Sequence, residues 1–306
     1  MEVKNFRWYM EFFTPYEAHM RGLKGVLASE QSPYQHIEVV ETFQYGRCLL
    51  LDGKMQSTEA DEFIYHEALV HPAATVHPEP KRVCLVGGGE GAAMRELYKH
   101  PSVEHITMID IDRRVIELCA KHLPEWNAGT YRDKRTRLVH QDARKWLQDH
   151  KKEKWDLIFV DLTEPIEEGP SFLLFTQEFY KLAAERMTPN GIIVTQAGWT
   201  NPTDLTCFGA IYQTMKKAFP IVRPYEANVP GFDNPWGFCL ASKRPDPREF
   251  SAERVDRVLQ NRGVKRLRWY DGITHVGIQH MAKHLRVAIE AEKRTIEDKR
   301  PLYMPS

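Results

Sequence analysis

Apolar and polar positions along the chain change texture once, near residue 80. Before that point no helical period develops until the end of the segment. Ser32–Phe43 and Arg47–Asp52 read as strands joined across Gln44-Tyr45-Gly46, and Asp52-Gly53 marks the next turn. Residues 1–78 are therefore expected to form a small antiparallel β domain with a linking helix over Glu59–Val76, stopped by Pro78 and Pro80. From Lys81 onward strand, turn and helix alternate. Strand-like runs fall at Arg82–Val86, His105–Asp110, Arg137–His140, Trp155–Asp161 and Gly191–Gln196. Helical patterns lie between them at Ala92–Lys99, Arg113–His122, Ala143–His150 and Thr176–Met187. That alternation predicts parallel strands with right-handed crossovers, a doubly wound sheet within residues 79–306. A helix over Asp204–Phe219 and two strands, Ile221–Val229 and Trp236–Ala241, follow. Only the turn-rich Pro230–Pro235 separates the last two, which favours an antiparallel hairpin. Beyond Ser251 the tail reads as two amphipathic helices on either side of Trp269–Gly272.

A parallel sheet closed by an antiparallel hairpin resembles the class I methyltransferase-like, Rossmann-like α/β fold, and that fold is the expectation. Charge changes the picture by exclusion. Forty-two Lys and Arg balance 42 Asp and Glu, so no global field draws the chain to nucleic acid or to a membrane. The basic stretches Lys151–Lys154 and Arg262–Arg268 are short enough to be solvated surface. Five scattered cysteines contain no C-x-x-C pair and suggest neither a zinc site nor a disulfide framework. Met1–Trp8 lacks an apolar leader core, and no run approaches the ~20 apolar residues that span a bilayer. A cytoplasmic protein is expected.

Candidate chemistry concentrates at the ends of the strands. Gly87-Gly88-Gly89-Glu90-Gly91 places a glycine-rich turn between a buried strand and a helix. Glycines there let backbone approach a ligand closely. The spacing is not that of a dinucleotide turn, and the carboxylate of Glu90 would repel a pyrophosphate while suiting a cationic group. The second strand ends in Asp110-Ile-Asp112, and an acid at that tip is placed to accept ribose hydroxyls. Asp110 is the better candidate, because Asp112 suits the cap of the next helix. Asp142, before Ala143 at the end of the third strand, is placed to accept from an adenine amino group. Each acid alone has a helix cap as its plainer reading. Three at successive strand ends after a triple glycine describe a nucleoside pocket.

The fourth strand runs into Asp161, Glu164, Glu167 and Glu168, four carboxylates within eight residues and no Lys or Arg. Such a loop attracts a polycation. A merely solvated loop accounts for Glu167 or Glu168 but less well for Asp161, which directly follows an apolar strand.

These segments together resemble the spermidine synthase family of polyamine aminopropyltransferases. The resemblance runs from about Trp8 to Ala241 and is carried by Tyr34-Gln35, Leu51–Ser57 (D-G-K-x-Q), Asp61–Glu67 (E-F-x-Y-H-E), the glycine turn, Asp110, Asp142-Ala143 and Asp161-x-x-Glu164-Pro165. It implies decarboxylated S-adenosylmethionine as co-substrate, a polyamine as acceptor, no metal, and a homodimer or higher homo-oligomer. It further implies that Gln35 and His66 hold the methylthio and ribose region, Asp110 the ribose and Asp142 with Ala143 the adenine. Glu90 and Asp161 would receive the terminal ammonium of the donor, and Asp161 would take the proton of the attacking amine. Tyr65, Glu164 and Gln196 would orient the acceptor in a groove lined by Trp8 and Phe232.

The sequence departs from the usual spermidine synthase pattern in having Glu164 for Asp, and Val229-Pro-Gly231-Phe232 for V-P-T-Y. Thr195–Gly198, Val229–Phe238 and Asp161–Pro170 look instead like the thermospermine synthase branch, which points to spermidine as acceptor and thermospermine or spermine as product. A putrescine or agmatine enzyme is the alternative. A methyltransferase shares the fold, but its cofactor carries a carboxylate that Glu90 and Asp161 would repel. A non-catalytic polyamine sensor would need no base at the nucleoside edge.

Overall fold

The computed structural model describes residues 7–165, 169 and 171–303. Its first sheet is an antiparallel meander of β1 (Arg7–Thr14), β2 (Glu17–Gln31), β3 (His36–Thr42), β4 (Gly46–Leu51) and β5 (Lys54–Thr58), in that order. Strand alternation sorts its residues: Tyr9, Glu11 and Phe13 are buried, while Trp8, Met10 and Phe12 point to the outer face. The spectrum of β1 and β2 escapes a periodicity reading because β2 is a long polar–apolar mixture with two register shifts against β3.

Helix α1 (Glu62–Val76) follows. Twelve consecutive residues, Tyr65–Val76, are buried, so the helix has no solvent stripe and packs on the second sheet as an internal element. His66, Glu67 and His71 find polar partners inside. Glu67 accepts the backbone N–H groups of Arg268, Trp269 and Tyr270 at 2.8–3.1 Å and so fastens the tail to α1.

The second sheet is built from β6 (Arg82–Gly87), α2 (Ala92–Leu97), β7 (His105–Ile109), α3 (Arg113–His122), a short α4 (Pro124–Asn127), β8 (Thr136–Val139), α5 (Ala143–Asp149), β9 (Trp155–Asp161), α6 (Gln177–Glu185), β10 (Met187–Trp199), α7 (Thr206–Met215), β11 (Ile221–Val229) and β12 (Asn234–Ser242). The strand order is β11-β12-β10-β9-β6-β7-β8. The five strands β8, β7, β6, β9 and β10 are parallel, and the β11–β12 hairpin inserts β12 antiparallel beside β10. The doubly wound sheet and its closing hairpin are as expected. The order of strand addition reverses between β6 and β9, the place where such sheets open a crevice beyond the strand ends.

The tail departs from expectation. Three helices, α8 (Ala252–Asn261), α9 (Gly272–Ile278) and α10 (Lys283–Ala291), replace the two anticipated. The middle one is only two turns long and starts on the cap Asp271, too short to show a period of its own. All five cysteines are buried and unpaired. Among the described residues no helix is long and apolar enough to cross a membrane.

Candidate active site

The glycine turn is shaped by what presses on it. Gly87 and Gly88 adopt φ of +79° and +71°. A Cβ on Gly87 would lie 2.1 Å from the backbone oxygen of Asp161, and one on Gly89 would lie 2.8 Å from Oδ2 of Asp110. The turn is thus wedged between the ends of β9 and β7, and the N–H of Gly88 donates to the carbonyl of Asp161 at 2.8 Å. Gly91, not Glu90, occupies the cap position of α2. The carboxylate of Glu90 is therefore free to face the cavity.

That cavity lies beyond the strand ends and is roofed by the first sheet. Gln35, Gly87, Gly88, Gly89, Glu90, Asp110, Asp142, Ala143 and Asp161 all line it. At the β7–β8 end the acids have second tasks. Asp110 accepts the N–H of Asp112 at 2.9 Å, and burial raises its pKa to about 7. Asp112 caps α3 through Arg114 N at 3.0 Å, and its other oxygen accepts from Ser32 Oγ at 2.6 Å and Gln35 Nε2 at 3.0 Å. Gln35 is aimed by that bond. Asp142 caps α5 through Lys145 N at 2.9 Å.

The other end is a chain of charges. Nε2 of His66 lies 2.9 Å from Oε1 of Glu90, and Nδ1 lies 2.7 Å from the carbonyl and 2.9 Å from the carboxylate of Glu62. Burial favours a neutral ring, but the hydrogen bonds and charges of Glu62 and Glu90 outweigh it and raise the pKa to about 10. The hydroxyl of Tyr65 donates to Oδ1 of Asp161 at 2.7 Å. Oδ2 of Asp161 is buried and has no hydrogen-bond partner. Burial first and the charge of Glu90 second raise the Asp161 pKa to about 7, against the pull of His66 and Tyr65. Ligand-type atoms of His66, Glu90 and Asp161 lie within 4.8 Å of one another. With both ring nitrogens turned onto oxygens, His66 has no lone pair for a metal ion.

Several expected site residues sit elsewhere or are occupied. His66 stands behind Glu90 and is not part of the cavity wall, so it reaches the cavity only through that carboxylate. Trp8 belongs to the outer face of β1, 53% exposed, because the two-residue period of the strand turns Tyr9 and Glu11 inward instead. Gln196 is buried and uses its amide internally, donating to Leu162 O at 2.8 Å and accepting from Gly198 N and Trp236 Nε1. It braces the loop after β9 with one N–H to spare. Phe232 is buried edge-on to Trp236 and Tyr65, with centroids 4.7 and 5.6 Å apart. Glu164 is raised to about 7, chiefly by burial and next by the charge of Glu11. Glu167 and Glu168 lie outside the described residues.

Sequence reasoning missed Glu11, Gln56 and Glu62. Glu11 is a buried acid on a strand of unclear period, and one of its oxygens has no hydrogen-bond partner. Gln56 lines the cavity and was signalled only as part of the D-G-K-x-Q segment. Glu62 precedes His66 by one helical turn, a spacing that was legible but unread.

Residues 62–251 match the family described as spermine/spermidine synthase domain, and residues 7–59 match the spermidine synthase tetramerisation domain. The polyamine aminopropyltransferase of Sulfurisphaera tokodaii is 42% identical over 300 residues, 98% of each chain. That of Sulfolobus acidocaldarius is 41% identical over the same share. Among solved structures, a spermidine synthase in complex with the transition state analogue AdoDATO superposes with a TM-score of 0.87 at 29% identity, covering 95% of this chain and 97% of the other. The spermidine synthase of Thermotoga maritima does so with a TM-score of 0.85 at 29% identity over the same shares.

Proposed function

Because this chain belongs to the spermine/spermidine synthase family of polyamine aminopropyltransferases, we propose that it moves the aminopropyl group of decarboxylated S-adenosylmethionine onto an amine of spermidine. The products are thermospermine or spermine, and methylthioadenosine. The observation that carries the chemistry is Asp161: one oxygen held by Tyr65, the other buried, unpartnered and facing the cavity. The acceptor amine arrives protonated, with a pKa near ~10.4 like that of lysine. It must lose that proton before its nitrogen attacks the carbon beside the sulfonium. As the new C–N bond forms, the C–S bond breaks and its electron pair leaves with the neutral thioether. Asp161 takes the proton, and Tyr65 keeps its carboxylate turned toward the incoming nitrogen. Glu90 receives the terminal ammonium of the donor; a carboxylate on the same carbon chain, as in the undecarboxylated cofactor, would meet Glu90 and Asp161 as a third negative charge. Asp110, Asp142 and Gln35 hold the nucleoside.

The triamine reading is supported by the acceptor side. Phe232 packs against Trp236 and offers no hydroxyl to fix a short diamine. Gly231 admits the close approach of Thr58 and Asp61, where a Cβ would lie 2.6 Å from Thr58 Cγ2. Glu164, just past Asp161, lies near enough to Glu11 for that charge to raise its pKa, and an additional amine between them would relieve both. We read the assembly as a homo-oligomer: Trp8, Met10 and Phe12 share the outer face of the first sheet with Met20, which lies opposite Met10, and all four are about half exposed.

Product identification tests the reading. Purified protein is given the decarboxylated donor with putrescine, agmatine, norspermidine or spermidine, and tetraamine isomers are separated chromatographically. The expected result is methylthioadenosine with a tetraamine from spermidine. Preferred turnover of putrescine or agmatine would keep the chemistry and overturn the acceptor. No transfer to any amine would overturn the reading of Asp161.

A further inference from the structure

The charge chain does not stop at His66. Glu62, at the first turn of α1, holds Nδ1 of His66 from one side and is itself gripped by Arg95 of α2, whose Nη2 lies 3.0 and 2.7 Å from its two oxygens. Arg95 is fixed in turn by Glu96 at 3.0 Å and by the carbonyls of Glu125 and Trp126. Glu62 is only 10% exposed and His66 1%. A backbone carbonyl and two carboxyl groups surround the two ring nitrogens, a setting suited to hydrogen on both. Acceptors on both sides favour an imidazolium, and the same groups raise the ring's pKa to about 10.

We propose that Glu62, clamped by Arg95, is a positioning residue that keeps His66 doubly protonated and thereby holds Glu90 ionised and turned into the cavity. This rests on the aminopropyl-transfer reading, in which Glu90 meets the donor's ammonium. Two carboxylates as close as Glu90 and Asp161 share a proton unless a cation lies beside them. His66 is that cation, and it lowers the Asp161 pKa as Glu90 raises it. Burial works against Glu62 ionising, but His66 and Arg95 bring it below its ordinary value. The charged and titratable groups around the ring are Glu62 and Tyr65 from α1, Glu90 from the glycine turn and Asp161 from the end of β9. Arg95 acts through Glu62, and Asp110 faces Glu90 and Asp161 from β7. Removing the Glu62 charge therefore lets the ring lose a proton and the carboxylate pair gain one.

The test compares wild type with Glu62→Gln, measuring calorimetric affinity for decarboxylated S-adenosylmethionine and for methylthioadenosine between pH 6 and 9, and kcat/KM over the same range. Methylthioadenosine fills the nucleoside region but carries no ammonium. For Glu62→Gln, the donor Kd should rise about tenfold at pH 7, with the gap narrowing toward pH 9 as Asp161 ionises. The acid limb of kcat/KM should move about one pH unit upward, while the Kd of methylthioadenosine stays within about twofold. Glu62→Asp should recover part of each change. Arg95→Lys, which keeps charge but loses the fork, should shift the donor alone by a smaller factor and serves where Glu62→Gln does not fold. Equal loss of both ligands, or wild-type behaviour at every pH, overturns the proposal. Failure of the parent reading shows separately, as wild-type protein that transfers no aminopropyl group.

Discussion

At the β7–β8 end of the cavity each acid also holds backbone: Asp110 takes the N–H of Asp112, Asp112 caps α3, and Asp142 caps α5. At the Glu90–Asp161 end the carboxylates hold none of the helices. Glu90 leans on one imidazolium, and Asp161 has a phenol hydroxyl on one oxygen and nothing on the other. The first arrangement is stable as it stands, because ligand recognition reuses groups that folding already satisfies. The second is held in a less comfortable state, with buried negative charge incompletely compensated until a cationic ligand arrives. The difference teaches where this protein exchanges stability for chemistry.

The strongest test of that contrast is Asp161→Asn. The amide oxygen still accepts from Tyr65, so positioning is preserved and only the base is lost. We expect kcat to fall about 10²–10⁴-fold, with methylthioadenosine affinity within about twofold of wild type. A variant with near-normal kcat would remove Asp161 from the base role and erase the contrast.

The same variant should also be more stable, by an amount set by pH. The folded pKa of Asp161 is raised to about 7 from its ordinary value of 3.8. A carboxyl raised in this way contributes stability that is complete below its unfolded pKa and lost as pH climbs through the folded one. Wild type therefore pays most above pH 7, and Asp161→Asn should raise Tm by several degrees at pH 8, on the order of 4–8 °C per kcal/mol in a small domain and less in a chain of this size. At pH 4 the gain should vanish. A Tm gain independent of pH would mean that strain, not charge, is relieved.

The smallest effect belongs to the other end. Asp112→Ala removes a helix cap and the acceptor of Ser32 and Gln35. Stability should drop by about 1–2 kcal/mol in denaturant unfolding. A neutral result would show that α3 and Gln35 are held by packing instead.

Much of this was readable beforehand for a simple reason. Strand ends, glycine turns and acids that follow apolar runs are local features, and the doubly wound sheet places strand ends together by rule. Asp110, Asp142, Glu90 and Asp161 were found this way, and all four line one cavity. Trp8, expected in the groove from the resemblance, lies on the outer face of β1, a one-residue register that the local sequence does not advertise. The internal bonds of Gln196 are not legible locally, because its amide partners, Leu162, Gly198 and Trp236, come from three places in the chain.

The sequence by itself determined the alternation of strands and helices from β6 to β12, the family and the set of acids at the strand tips, since these rest on local patterns. Tertiary structure alone decided which of those acids would be compensated and which left waiting. Glu62, His66, Arg95 and Glu90 are brought within hydrogen-bond reach only when α1 is buried against the glycine turn and α2. Protonation in such a place follows from the partners that packing supplies and the water it removes, and neither is written in local sequence.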